Sequence, residues 1–168
     1  MTNLGGIAIG IAIVAIAISS VAIMLNQNQD AAQTTTITPT ERTIYMNLVE
    51  PKGTTNVSKE PFPTVPLPEG GGFELVPPND AGDWTVETYS FSPSLVVVNQ
   101  GDTVNLKMLG LNGALHHVSI ENYAEPFDVH RGELHEVSFV ADKAGTFKIF
   151  CSIHQPAMTG YLMVIPNE

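Results

Sequence analysis

Cys151 is the only cysteine in the chain; His154 follows it after two residues and Met158 after three more. Thiolate, imidazole and thioether are soft donors that suit copper and match magnesium or calcium poorly. Zinc accepts Cys and His but rarely Met, and a structural zinc site usually brings further cysteines. A mononuclear copper site that joins two histidines and one cysteine to a weak axial methionine would find three of its four donors within residues 151–158. Taken alone, Cys151 reads equally well as a small buried hydrophobe.

The second imidazole must come from elsewhere, and the histidines stand at 116, 117, 130, 135 and 154. Along an extended segment successive side chains face opposite ways. His116 is in phase with Val118 and Ile120, which belong inside, whereas His117 is in phase with Ser119 and faces out. His116 is therefore the preferred ligand. His130 and His135 flank the Arg131–Gly132 turn, where a surface role is the default, although His135 is also in phase with Val137 and Phe139. Met163, twelve residues beyond Cys151, competes with Met158 as axial donor, with core packing or a surface contact as its ordinary role.

Short strands must position these residues. From residue 83 onward the chain alternates strand-like runs with turn-formers: 83–91, 95–109 with a turn at 99–101, 116–121, 133–140, 145–151 and 160–165. Val104, Leu106 and Met108 alternate with Thr103, Asn105 and Lys107, as in a half-buried strand. No helical stripe of useful length appears, so about seven strands predict an all-β, antiparallel β-sandwich over residues 80–168.

The preceding residues differ in character. Residues 4–25 carry no charge, and 22 residues at helical rise would cross the ~30 Å apolar layer of a bilayer. A lone strand cannot satisfy its backbone in lipid, so a transmembrane helix is expected within an anchor of residues 1–28. A cleaved signal peptide is the rival, but its basic leading region is missing. Eight of the twelve prolines lie between Pro39 and Pro78, so residues 29–79 read as an extended, Pro-rich tether. Within it, "TIYMNLV" (43–49) is apolar and β-prone enough to add a strand to the domain.

The formal charge of −10, with only 7 Lys and Arg, excludes a nucleic-acid binder, which needs clustered cations to displace counterions. An acidic domain behind an N-terminal anchor is most simply placed outside the cytoplasm.

The segments "ALHHVSIENY", "VSFVADKAGTFKIFCSIHQPAM" and "GYLMVI" resemble the cupredoxin family of small blue copper proteins, over about residues 83–168. The resemblance is nearest to membrane-anchored archaeal plastocyanin-like and nitrosocyanin-like members. It implies a Greek-key β-sandwich with one copper ion, His116, Cys151 and His154 as equatorial ligands and Met158 as the axial one. The sequence departs from its relatives in three ways. Cys-x2-His is plastocyanin-like while His-x3-Met is azurin-like; His117 stands where an Asn usually links the ligand loops; and the carboxylate ligand of nitrosocyanin-like sites is missing.

The resemblance implies that an edge of His154 lies near the surface, ringed by Ile153, Pro156 and Ala157. A redox protein or membrane redox complex would dock there. The expected function is a membrane-anchored, extracytoplasmic electron carrier and not an enzyme. One alternative is a copper-binding or structural subunit of a membrane enzyme complex, with residues 26–79 wrapped around its partners. Another is an enzyme with an exchangeable site, formed if Met158 does not bind.

Overall fold

The computed structural model describes residues 38–167, which fall in one compact unit. The expected membrane helix at 4–25 lies outside the described residues. Among those residues no helix is long and apolar enough to cross a membrane.

The described residues form strands β1 (Glu41–Val49), β2 (Lys52–Asn56), β3 (Phe73–Val76), β4 (Asp83–Thr88), β5 (Ser90–Ser92) and β6 (Leu95–Asn99). They continue with β7 (Thr103–Gly110), β8 (Leu115–Ile120), β9 (Ala124–His130), β10 (Leu134–Val140), β11 (Gly145–Cys151) and β12 (Thr159–Ile165). One 3-10 turn, Ser152–His154, interrupts them between β11 and β12.

Two sheets make an all-β sandwich, ordered β10-β7-β1-β5 and β6-β12-β11-β8-β9; a small third sheet is ordered β2-β4-β3. Alternation drives the sandwich. Val104, Leu106 and Met108 of β7 and Met46 and Leu48 of β1 turn inward from one sheet. Val118 and Ile120 of β8, Ile149 of β11 and Leu162 and Val164 of β12 meet them from the other. Each such aliphatic side chain contributes roughly 1.5–3 kcal/mol when fully buried.

Pairing is not wholly antiparallel, as the alternation alone suggested. β1 runs parallel to β7 and β6 parallel to β12. Parallel neighbours need crossover connections rather than hairpins, and a strand's own pattern does not report which it has.

Residues 43–49, open in the sequence to both a spacer and a strand reading, lie in β1, between β7 and β5. The domain therefore does not begin at residue 80. The described part of the proline-rich segment, residues 38–79, belongs to the same compact unit and carries β1, β2 and β3. Pro39, Pro51 and Pro77 lie near strand ends there, while Pro61, Pro63, Pro66 and Pro68 fall in the strand-free stretch between β2 and β3.

Candidate metal centre

The site forms where three segments meet. β8 carries His116 inward between the buried Val118 and the preceding loop. β11 ends on Cys151, itself fully buried, and the 3-10 turn that follows brings His154 back beside it. The ligating atoms of His116, Cys151 and His154 lie within 4.8 Å of one another, with Cys151 Sγ 3.3 Å from His154 Nδ1.

The tautomer of His116 follows from its partner. Its Nε2 lies 2.9 Å from the main-chain oxygen of Asn112, and a carbonyl only accepts, so Nε2 carries the proton. Nδ1 is left with a lone pair. Among the described residues it is the one fully buried side-chain nitrogen or oxygen with no hydrogen-bond partner. An orphaned buried acceptor costs about 1–3 kcal/mol, so its presence here calls for a ligand.

The electrostatics keep all three donors available. Burial holds His116 below the usual histidine range. Burial, and then the neighbouring His116, bring His154 down to about 4, so both imidazoles are neutral near pH 7. Burial pushes the Cys151 thiol up, while hydrogen bonds from the N–H groups of His117, Ile153 and His154 pull the other way by favouring the thiolate. A positive ion at the sulfur would complete what these dipoles begin.

Met158 is fully buried in the same apolar cluster as Cys151. Its loop is closed by main-chain bonds, from Cys151 N–H to the Met158 oxygen at 3.1 Å and from Met158 N–H to the His154 oxygen at 2.9 Å. The Gln155 side chain donates to the oxygens of both Cys151 and Met158. Met163 sits on β12 between the buried Leu162 and Val164 and so faces the outer side of its sheet.

The remaining histidines stay apart from the cluster. His117 points outward and pairs with Asp128 at 2.6 Å, so the residue after the first candidate ligand does not bridge the loops with its side chain. His130 is exposed, and His135 is half-buried with its ring stacked on Phe127.

Residues that no spacing singled out complete the surroundings. The Tyr89 ring lies flat on His154, with centroids 3.6 Å apart and planes 7° apart. Gly71 and Gly72 run so close over the loop that a Cβ on either would strike the carbonyl oxygen of Ile153 or His154. His154 is consequently half-buried rather than presenting a bare edge, although Ile153 and Pro156 beside it are exposed. Gly113 takes φ +78°, and a Cβ there would come within 2.9 Å of His116 Nε2.

Two imidazole nitrogens and one cysteine sulfur, two of the three residues fully buried and an unpartnered lone pair among them, fit a type 1 copper ion. Comparison with known proteins agrees on the fold. No curated protein sequence matches the chain. Among solved structures it is similar to the copper nitrite reductase from Nitrosomonas europaea, with 17% identity and a TM-score of 0.50 over 76% of this chain and 42% of that one. It is also similar to a copper-containing nitrite reductase from Thermus scotoductus, with 20% identity, TM-score 0.47, and 78% and 28% coverage. A multicopper oxidase, mgLAC, gives 17% identity, TM-score 0.46, and 76% and 40% coverage. The chain thus spans less than half the length of each of these proteins. Residues 79–164 match the family model described as a cupredoxin-like domain, and the chain belongs to that family.

Proposed function

We propose that this chain is a mononuclear type 1 copper protein that carries electrons, held at a membrane by residues 4–25 with its cupredoxin domain outside the cytoplasm. His116, Cys151 and His154 would hold the ion, with Met158 as a fourth donor. Bound there, copper would supply one-electron chemistry by alternating between Cu(I) and Cu(II).

The observation that carries this reading is the burial of the donor cluster. Cys151 and His116 are fully buried, and the donors are tied to two strands of one sheet and to a loop closed by its own hydrogen bonds. A scaffold that fixes its donors before the ion arrives changes little when the ion's charge changes. Such a site suits outer-sphere electron transfer better than binding and turning over a substrate. The role of the protein is to exclude water, hold both imidazoles neutral and direct three N–H groups at the sulfur.

The fold of residues 38–79 bears on the subunit alternative. In a subunit that wraps its partners this segment would be free to reach them, whereas its described part is folded against its own domain. That supports a self-contained carrier. Its charge of −10 would steer a partner with a basic face, either a membrane redox complex or a soluble redox protein. An anchor would raise its concentration beside a membrane partner.

Redox titration of the copper-loaded full chain tests the proposal. Reversible reduction and reoxidation, with a visible spectrum that ignores added azide, is the expected result. Irreversible redox behaviour, or a spectrum displaced by azide, would instead mark an open site and an enzyme.

A further inference from the structure

Glu50 lies just past the end of β1, ahead of the region that matches the family model. Its carboxylate is buried, with 6% of the residue exposed. The antiparallel register of β1 on β5 pairs Val49 with Ser90, and one step further sets Glu50 across from Tyr89. There the Tyr89 hydroxyl donates to Glu50 Oε1 at 2.7 Å, while Lys52 Nζ donates to Oε2 at 3.2 Å. With its hydroxyl tied down, the ring of Tyr89 covers the flat face of His154 at 3.6 Å.

The main chain of the same glutamate reaches the other imidazole. Glu50 N–H donates to Asn112 Oδ1, and Asn112 Nδ2 donates back to the Glu50 oxygen, both at 2.8 Å. That reciprocal pair fixes Asn112, whose carbonyl oxygen accepts from His116 Nε2. One residue thus touches the partners of both histidines, by side chain toward His154 and by backbone toward His116.

We infer that Tyr89 is a positioning residue for His154, that Glu50 holds it in place, and that Glu50 together with Asn112 also fixes His116, so that residues outside the ligand set govern how tightly the site holds copper. The inference rests on the reading of His116 and His154 as copper ligands. Physically, a ligand histidine free to rotate about its χ angles must be ordered when the ion binds; a stacked ring and an anchored carbonyl remove that freedom beforehand. With planes 7° apart and centroids 3.6 Å apart, the Tyr89 ring is in van der Waals contact across the face of the imidazole and blocks its rotation on that side.

The test uses the full chain carrying Tyr89→Leu, Tyr89→Phe, Glu50→Ala or Glu50→Gln, with Tyr161→Leu on the outer sheet face as control. Cu(I) affinity is measured by competition with a colorimetric chelator, and the His154 ring is followed by NMR of labelled histidine in the metal-free protein at one fixed pH. Tyr89→Leu and Glu50→Ala are each expected to weaken Cu(I) binding about 10–100-fold and to broaden or split the His154 ring signals. Both Glu50 variants keep the backbone pair with Asn112; Glu50→Gln also still accepts from the Tyr89 hydroxyl, so it should recover most of the loss. Tyr89→Phe keeps the ring without its anchor and should fall between.

A merely structural role would lower the unfolding midpoint and leave affinity per folded molecule unchanged. Cu(I) binding within roughly twofold of wild type in both Tyr89→Leu and Glu50→Ala, with unaltered ring signals, would overturn the inference. If Tyr89→Leu does not fold, the same criterion applied to Tyr89→Phe and Glu50→Ala decides it. A wild-type chain that fails to bind copper would refute the ligand assignment instead. In that case the ring signals of the metal-free variants would still decide whether Tyr89 orders His154.

Discussion

A polar side chain is fully buried near each end of β1, and the two are treated in opposite ways. Toward its start Asp102 accepts from the Thr40 and Asn99 N–H groups, both at 2.8 Å, from the Thr40 hydroxyl at 3.1 Å and from Arg42 Nε. Toward its far end His116 gives one ring proton to Asn112 and leaves Nδ1 with nothing. The first carboxylate is saturated by the scaffold and serves to lock it. The second side chain is left short of a partner while the protein holds everything around it in place. The difference separates a stability device from a binding site without reference to any relative.

Substitution at the two ends should therefore diverge. Asp102→Ala strands several N–H and O–H donors and is expected to cost about 3 kcal/mol in denaturant unfolding of the metal-free protein. His116→Leu should abolish copper binding yet leave that unfolding free energy within about 1 kcal/mol of wild type, since the unsatisfied acceptor it removes offsets the donor that the Asn112 oxygen loses. Equal losses at the two positions would erase the distinction between them.

Acid sharpens the same contrast. Burial would raise the Asp102 carboxyl, but the N–H groups of Thr40 and Asn99 and the Arg42 side chain outweigh it and hold the group down to about 2, against an ordinary 3.8. A carboxyl depressed on folding contributes its full stability above the unfolded value and loses it as pH falls through the folded one. Chemical denaturation between pH 4 and pH 2 should show stability falling with acid, and Asp102→Asn should flatten that segment of the profile.

Smaller effects follow at the margins of the site. Met158→Leu should keep the thiolate-to-copper band and raise the reduction potential, because losing a thioether donor disfavours Cu(II) more than Cu(I). A potential unchanged by that substitution would show that Met158 is packing and not a ligand. His117→Ala removes an exposed pair with Asp128 and should change stability by less than about 1 kcal/mol, with copper affinity untouched.

How far the sequence reached depended on whether a feature was local. Alternation through Val118 and Ile120 turned His116 inward and His117 outward, and both orientations are present in the structure. Cys-x2-His brings its two donors together within one turn of chain, so spacing alone revealed that half of the cluster. β9 went unread because Pro126 interrupts its pattern; as the edge strand of its sheet it tolerates a residue with no N–H to give. β2 and β3 hid among prolines whose usual meaning is an extended spacer. Tyr89 and Glu50 are 39 residues apart, and only the pairing register of β1 with β5 brings them together. No local pattern encodes such a register.

The most direct measurement is visible absorption with electron paramagnetic resonance of the copper-loaded full chain beside Cys151→Ala. An intense thiolate-to-copper band with narrow copper hyperfine splitting, both lost in the variant, is the predicted result. A weak spectrum that Cys151→Ala leaves unchanged would contradict the central claim that Cys151 and the imidazoles of His116 and His154 form a type 1 copper site.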